Sequence, residues 1–133
     1  MLANFSHGMP RRNRSFRTVT HAHRQRAERT VALYLEDCYR LKVAARVSEL
    51  AARLGLHPDY LSRTSPEVFG MALSDYLRQQ QLAKAELLLR TMPRDLTIEE
   101  IALRCGFGTY TSLYRSFRRA YGTSPGAYRK VRK

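Results

Sequence analysis

The sequence predicts an all-α fold in which two helix-turn-helix, homeodomain-like subdomains are joined by a central linker helix. Three observations lead there. Apolar residues recur at three- and four-residue steps in successive stretches of the 133-residue chain. A helix, a glycine-containing turn and a second helix can be read twice, at 47–63 and again at 96–122. Between them, 73–90 carries apolar residues on two stripes, as a helix buried on two sides does.

Taken in order, residues 1–25 are poor in aliphatics and rich in Arg, Ser, Thr and His, the composition of a flexible basic arm. From about Arg26 to Leu41, the positions of Ala27, Val31, Leu33, Tyr34, Leu35, Cys38 and Leu41 describe an amphipathic helix. In the first unit, about 47–64, Ser48 is placed to cap a short helix whose apolar face holds Leu50, Ala51 and Leu54. Gly55 stands where the chain must leave that helix. Pro58 suits the first turn of the next one, where a missing N–H costs nothing, and Leu61 points back to the core.

The linker helix, about 73–90, has the stripes Leu73/Tyr76/Leu77/Ala83/Leu87 and Leu82/Ala85/Leu89. At 1.5 Å per residue it would be roughly 27 Å long. After a turn at Met92–Asp95 comes the second unit, about 97–120. Thr97 and Glu100 have capping-box spacing, and Leu96 and Ile101 that of a hydrophobic staple. Ile98, Ile101, Ala102 and Cys105 mark its first helix and Gly106 its turn; Phe107, Leu113 and Phe117 are expected in the core. Ser124-Pro125 opens a last short helix with Tyr128 and a basic tail.

Charge narrows the function. The formal net charge is +13, and all of the excess lies at the two ends. Residues 1–30 hold seven arginines against Glu28, residues 115–133 hold seven basic residues and no acid, and 31–114 balance. A neutral middle between basic ends is the footprint of a protein that meets a polyanion. No apolar run is long enough to span a bilayer, and the N-terminus has no signal-peptide core, so a cytoplasmic, nucleoid-associated protein is expected. Two cysteines are too few for a disulfide framework or a four-thiolate zinc site. His21-x-His23 has no further ligand at a suitable spacing, and Gly106-Phe107-Gly108 lacks the spacing of a dinucleotide loop. No metal, cofactor or catalytic residue is expected.

The run IALRCGFGTYTSLYRSFRRAYGTSPGAYR (101–129), with Ile-Ala, Gly-Phe, a core pair, then Gly, Pro and Tyr-Arg, resembles the signature of the AraC/XylS family of bacterial transcription regulators. The likeness extends from about Val47 to Arg129, about 83 of the 133 residues. It implies a seven-helix DNA-binding domain, here within 26–133, on a short regulator without an effector domain or on a piece of a longer one. It further implies an activator that binds double-stranded DNA as a monomer, with RNA polymerase as a further partner. An interaction module, or a nonspecific nucleic-acid binder with a degenerate first unit, is the alternative.

Positions matching the family's groove-facing residues are Asp59, Tyr60, Ser62 and Arg63 in the first unit. In the second they are Thr109, Tyr110, Thr111, Ser112, Tyr114, Arg115 and Ser116. Arg63 and Arg115 lead, since a guanidinium pairs bidentately with guanine; the alternative is that they are ordinary exposed arginines, and Tyr110 and Tyr114 core or spacer aromatics. Arg118, Arg119, Arg129 and Lys130 are expected on phosphates, which position a protein without reading sequence. The first unit departs from the family pattern. His57 replaces the usual capping serine, Ser65 a core phenylalanine, and Pro66 falls where the recognition helix would continue. A proline there removes an amide and clashes with the preceding turn, so the helix is expected to stop near Thr64, with Val68 or Phe69 refilling the core. Leu113, where the family has an aromatic, is a mild change.

Overall fold

Capping chemistry and apolar spacing set the helix ends in the computed structural model, which describes residues 21–131. Among these residues the elements are α1 (His21–Leu41), α2 (Val47–Leu54), α3 (Pro58–Phe69), α4 (Leu73–Thr91), α5 (Ile98–Arg104), α6 (Tyr110–Tyr121) and α7 (Pro125–Val131), with no strand. The fold is all-α, as the periodicity predicts. Most of the expected arm, residues 1–20, lies outside the described residues. Its last five, 21–25, are helical, because α1 begins at His21 and not near Arg26. Arginine, alanine and glutamine favour a helix without contributing to an apolar stripe, so periodicity misses such a turn. Arg24 Nε anchors it by donating to Val68 O at 2.9 Å.

The chain divides into two compact units. The first takes described residues 21–33 with 47–76, and the second 34–46 with 77–131. In the first, Val31, Leu50, Ala51, Leu61, Val68 and Leu73 are buried. Helix α2 starts at Val47, so Ser48 is its second residue and not its cap. Gly55 (φ 70) ends it as expected, with Leu56 N donating to Ala51 O at 2.9 Å.

The second unit closes on Leu82, Ala85 and Leu89 of α4, Ile101, Ala102, Cys105 and Phe107 of the α5 region, and Leu113 and Phe117 of α6. Its turn repeats the first: Gly106 (φ 78) is followed by a bond from Phe107 N to Ala102 O at 3.0 Å. Helix α1 stops through a bond from Val43 N to Cys38 O (3.0 Å), with Lys42 in the left-handed region at φ 59. The Tyr34 hydroxyl then pins the connection to α2, accepting from Arg46 N (2.9 Å) and donating to Arg46 O (3.2 Å). Both cysteines are buried thiols.

Two expectations for α4 need correction. Its first stripe does not persist: Leu73 and Leu77 are buried, but Ala83 and Leu87 are exposed. Conversely Gln81 is buried, because it shares the stripe of Leu77, Ala85 and Leu89 at four-residue steps. Its Nε2 donates to Gly106 O (2.6 Å) and Cys105 O (3.2 Å), carbonyls of the turn before α6.

Candidate nucleic-acid interface

The second helix of each unit is held between a side-chain cap and a left-handed glycine, and the two match residue for residue. In α3, His57 Nδ1 accepts from Asp59 N at 3.1 Å; in α6, Thr109 Oγ1 accepts from Ser112 N at 3.1 Å. The imidazole thus does the work of the capping serine it replaces. At the other end Gly70 N donates to Pro66 O and Gly122 N to Arg118 O, both at 2.8 Å and with φ 76. Each helix is 12 residues long. In this register Leu61 corresponds to Leu113, Ser65 to Phe117 and Arg63 to Arg115.

Helix α3 therefore does not stop near Thr64. It runs through Pro66 to Phe69. The residues around the proline accommodate it. Thr64 Oγ1 and Ser65 Oγ donate back to Tyr60 O (3.0 Å) and Leu61 O (2.6 Å), bonds that bend a helix. Pro66 and Ser62, whose carbonyl such an amide would use, are both exposed, so the missing bond falls on the solvent side of the helix. Ser65 is itself buried, its hydroxyl satisfied by the Leu61 carbonyl. Phe69 does not refill the space: it stacks on Tyr76, ring centroids 4.2 Å apart.

With Leu61, Ser65 and Val68 facing inward, α3 turns Asp59, Ser62, Arg63, Pro66 and Glu67 outward. With Leu113 and Phe117 inward, α6 presents Tyr110, Thr111, Ser112, Arg115, Arg118 and Arg119, and Thr109 is exposed at its cap. Tyr60, Tyr114 and Ser116 are half-buried flank residues. Tyr110 and Tyr114 lie against each other, centroids 6.0 Å apart, so Tyr114 is partly a spacer.

The two faces differ in charge. On α6, three exposed arginines carry no ion pair among the described residues. On α3, Arg63 shares its face with Asp59 and Glu67. Glu67 escaped sequence reasoning because the helix was expected to end before it.

Of the expected phosphate contacts, Arg118, Arg119 and Lys130 are exposed. Arg129 is not. It is 7% exposed, and its Nη2 donates to Pro93 O at 2.9 Å, closing α7 on the turn after α4. Composition counts it with the basic tail, but its neighbour Tyr128 turns inward to Phe117 and donates to Glu86, and this draws α7 onto the core. Near the start of α5, Thr97 Oγ1 caps Glu100 N at 3.1 Å, the expected half of the capping box. Glu100 Oε2 is gripped by Lys42 (2.6 Å) and Arg104 (3.0 Å), whose hydrogen bonds hold its carboxyl below the usual carboxylate range. Those two cations are thereby largely neutralised.

Comparison with known proteins gives the same picture. The family described as "Helix-turn-helix domain" matches residues 50–131. The HTH-type transcriptional regulator Rv1931c of Mycobacterium tuberculosis is 37% identical over 88 residues, 66% of this chain and 33% of that protein. The chain thus spans about a third of that regulator's length. The Transposon Tn10 TetD protein of Escherichia coli is 31% identical over 100 residues, 75% of this chain and 70% of TetD. Among solved structures, the DNA-binding domain of AdpA in complex with a target DNA has a TM-score of 0.67 at 33% identity. That likeness covers 78% of this chain and 89% of that one.

Proposed function

The chain belongs to the AraC-type helix-turn-helix family, and from that premise we propose that it is a sequence-specific transcription regulator acting on double-stranded DNA. Family and fold are those of DNA-binding transcription regulators, not of enzymes. One observation carries the reading: α6 is braced from behind by a closed core and capped at both ends, and it shows solvent a face of hydroxyls, one tyrosine and three arginines with no ion pair among the described residues. Such a face matches the major groove, where arginine reads guanine and neighbouring arginines hold phosphates.

Base reading is assigned to Arg115, Thr111, Ser112 and Tyr110, with Thr109, Tyr114 and Ser116 on the flank, and phosphate contact to Arg118, Arg119 and Lys130. Arg63 and Ser62 do the same work on α3, with Asp59 accepting from cytosine and Tyr60 beside them. The two helices enter successive major grooves, so a monomer reads a non-palindromic site from the bacterial cytoplasm and activates by meeting RNA polymerase. The similarity to a DNA-bound relative supports the assignment of DNA as the partner.

Selection of bound sites from random duplex DNA tests the proposal. Two sequence blocks about one helical turn, roughly 10–10.5 base pairs, apart are expected. One block only would mean that the first unit reads no bases, a result that Asp59 and Glu67 beside Arg63 would explain. No enriched sequence at all would leave a nonspecific binder.

A further inference from the structure

The first unit contains a cavity at the position that the fully buried Phe117 occupies in the second. About 310 Å³ lies behind α3, with Val31 of α1, Leu50 and Leu54 of α2, and Leu61, Ser65 and Val68 of α3 among its walls. The internal repeat explains why it is there. Position 117 in α6 holds a phenylalanine whose ring is fully buried against Tyr121 and Tyr128, with centroid distances of 4.5 and 5.4 Å. The matching position in α3 is Ser65, equally buried, so the first core is short of a phenyl ring. Phe69 could have turned in to fill the gap but is stacked on Tyr76 instead.

Size and chemistry define an occupant. Engineered apolar cavities of about 150 Å³ take up benzene, and natural ligand sites begin at about 300 Å³, apolar with a few placed polar groups. His23 and the exposed Arg26 stand on the wall together with three hydroxyls, those of Ser65, Thr64 and Thr30. Each hydroxyl donates its proton to a helix carbonyl, to Leu61 O (2.6 Å), Tyr60 O (3.0 Å) and Arg26 O (3.0 Å). With the protons committed, these oxygens offer only lone pairs to a guest. Around these hydroxyls the cavity suits an apolar ring system that brings one hydrogen-bond donor of its own.

We propose that this cavity is a binding site for a compact aromatic alcohol or phenol, held by the apolar walls and donating to Ser65. A guest seated there rests against the inner face of the helix whose outer face carries Ser62 and Arg63. Filling the void stiffens α3 and tightens the first unit's hold on DNA. That last consequence rests on the reading of α3 as a groove helix; the binding itself does not.

The test is titration of the full chain, without DNA, with 2-naphthol, followed by calorimetry and by the methyl resonances of Val31, Leu50, Leu61 and Val68. Saturable 1:1 binding that shifts those methyls is expected. Ser65→Phe, which restores the residue of the second unit, should weaken binding at least tenfold, and Ser65→Ala, which keeps the space but removes the acceptor, several-fold. Circular dichroism checks that both variants fold, and the methyl shifts of the unaltered chain locate the guest even where a variant does not. The proposal fails if no saturable binding occurs, if the shifted methyls lie elsewhere, or if a folded Ser65→Phe binds as well as the parent. It also fails if binding appears only when Phe5 and Phe16 are both changed to alanine, since the chain's own N-terminal segment would then be the occupant. DNA binding measured separately distinguishes these failures from failure of the regulator reading.

Discussion

Replacing Gln81 with leucine should destabilise the second unit without disturbing the shape of α4. Gln81 is the buried amide whose Nε2 bonds Gly106 O at 2.6 Å and Cys105 O at 3.2 Å. Gly106 O has a second donor, Ala45 N at 3.0 Å, so it loses one of two partners. Depriving a buried acceptor costs about 1–3 kcal/mol, and weakening one that keeps a donor costs about 0.5–1.5 kcal/mol. The leucine side chain returns about 1 kcal/mol through its extra apolar burial. The net expectation is a loss of roughly 2 kcal/mol, or a fall in Tm of roughly 6–10 °C for a chain of this size. Urea unfolding followed by far-ultraviolet circular dichroism measures it. DNA affinity should fall too, because this turn leads directly into α6. A change within about 0.5 kcal/mol of zero would refute the reasoning, showing that the two carbonyls do not depend on the amide.

Phe117→Ala removes the fully buried ring of the second core and should cost about 3–5 kcal/mol in the same assay. His57→Ala removes the α3 cap and should cost about 0.5–2 kcal/mol, while His57→Ser should leave stability near that of the parent. Arg115→Ala should lose about 1–3 kcal/mol at the selected site and little on random duplex, whereas Arg119→Ala should weaken both alike and flatten the salt dependence by about one unit, both read by fluorescence anisotropy. Burial pushes the Cys105 thiol up from 9.0 to about 12 and raises the Tyr39 phenol, which burial and the nearby thiols hold neutral. Both protons are held more tightly in the folded state, so their stabilisation is complete below pH 9 and is lost as pH rises toward 12. Stability should therefore decline above pH 9, by up to about 1.4 kcal/mol per pH unit for the thiol alone, and Cys105 should resist thiol reagents at pH 8 until the unit unfolds.

Much of this was legible in the sequence because capping and turn chemistry are local. Thr97 before Glu100, glycines at 55 and 106, and Pro58 in a first turn each state a helix end without reference to distant residues. Apart from Phe107, which lies in the turn, the core of the second unit followed from helical spacing. What escaped depends on contacts between elements. Arg129 looks like one more tail charge until α7 is folded against Pro93. Gln81 is an ordinary helix residue until the carbonyls of Cys105 and Gly106 are set beside it. Pro66 reads as a helix stop, but the Thr64 and Ser65 hydroxyls and an exposed outer face let α3 continue. Ala83 and Leu87 fit a stripe that nothing among the described residues covers. At the candidate interface, the outward register of α6 was readable, whereas the acidic neighbour Glu67 on α3 was hidden by the helix end expected too soon.

The inequality of the two units is tested most directly by guanine methylation interference on the selected site, with the parent chain compared to Arg63→Ala and Arg115→Ala. The account predicts interference in two successive major grooves. Arg115→Ala should abolish it at one guanine in one groove, and Arg63→Ala should produce a weaker loss confined to the other. Interference in a single groove, or a pattern that neither substitution alters, would contradict the assignment of α3 and α6 as paired reading helices.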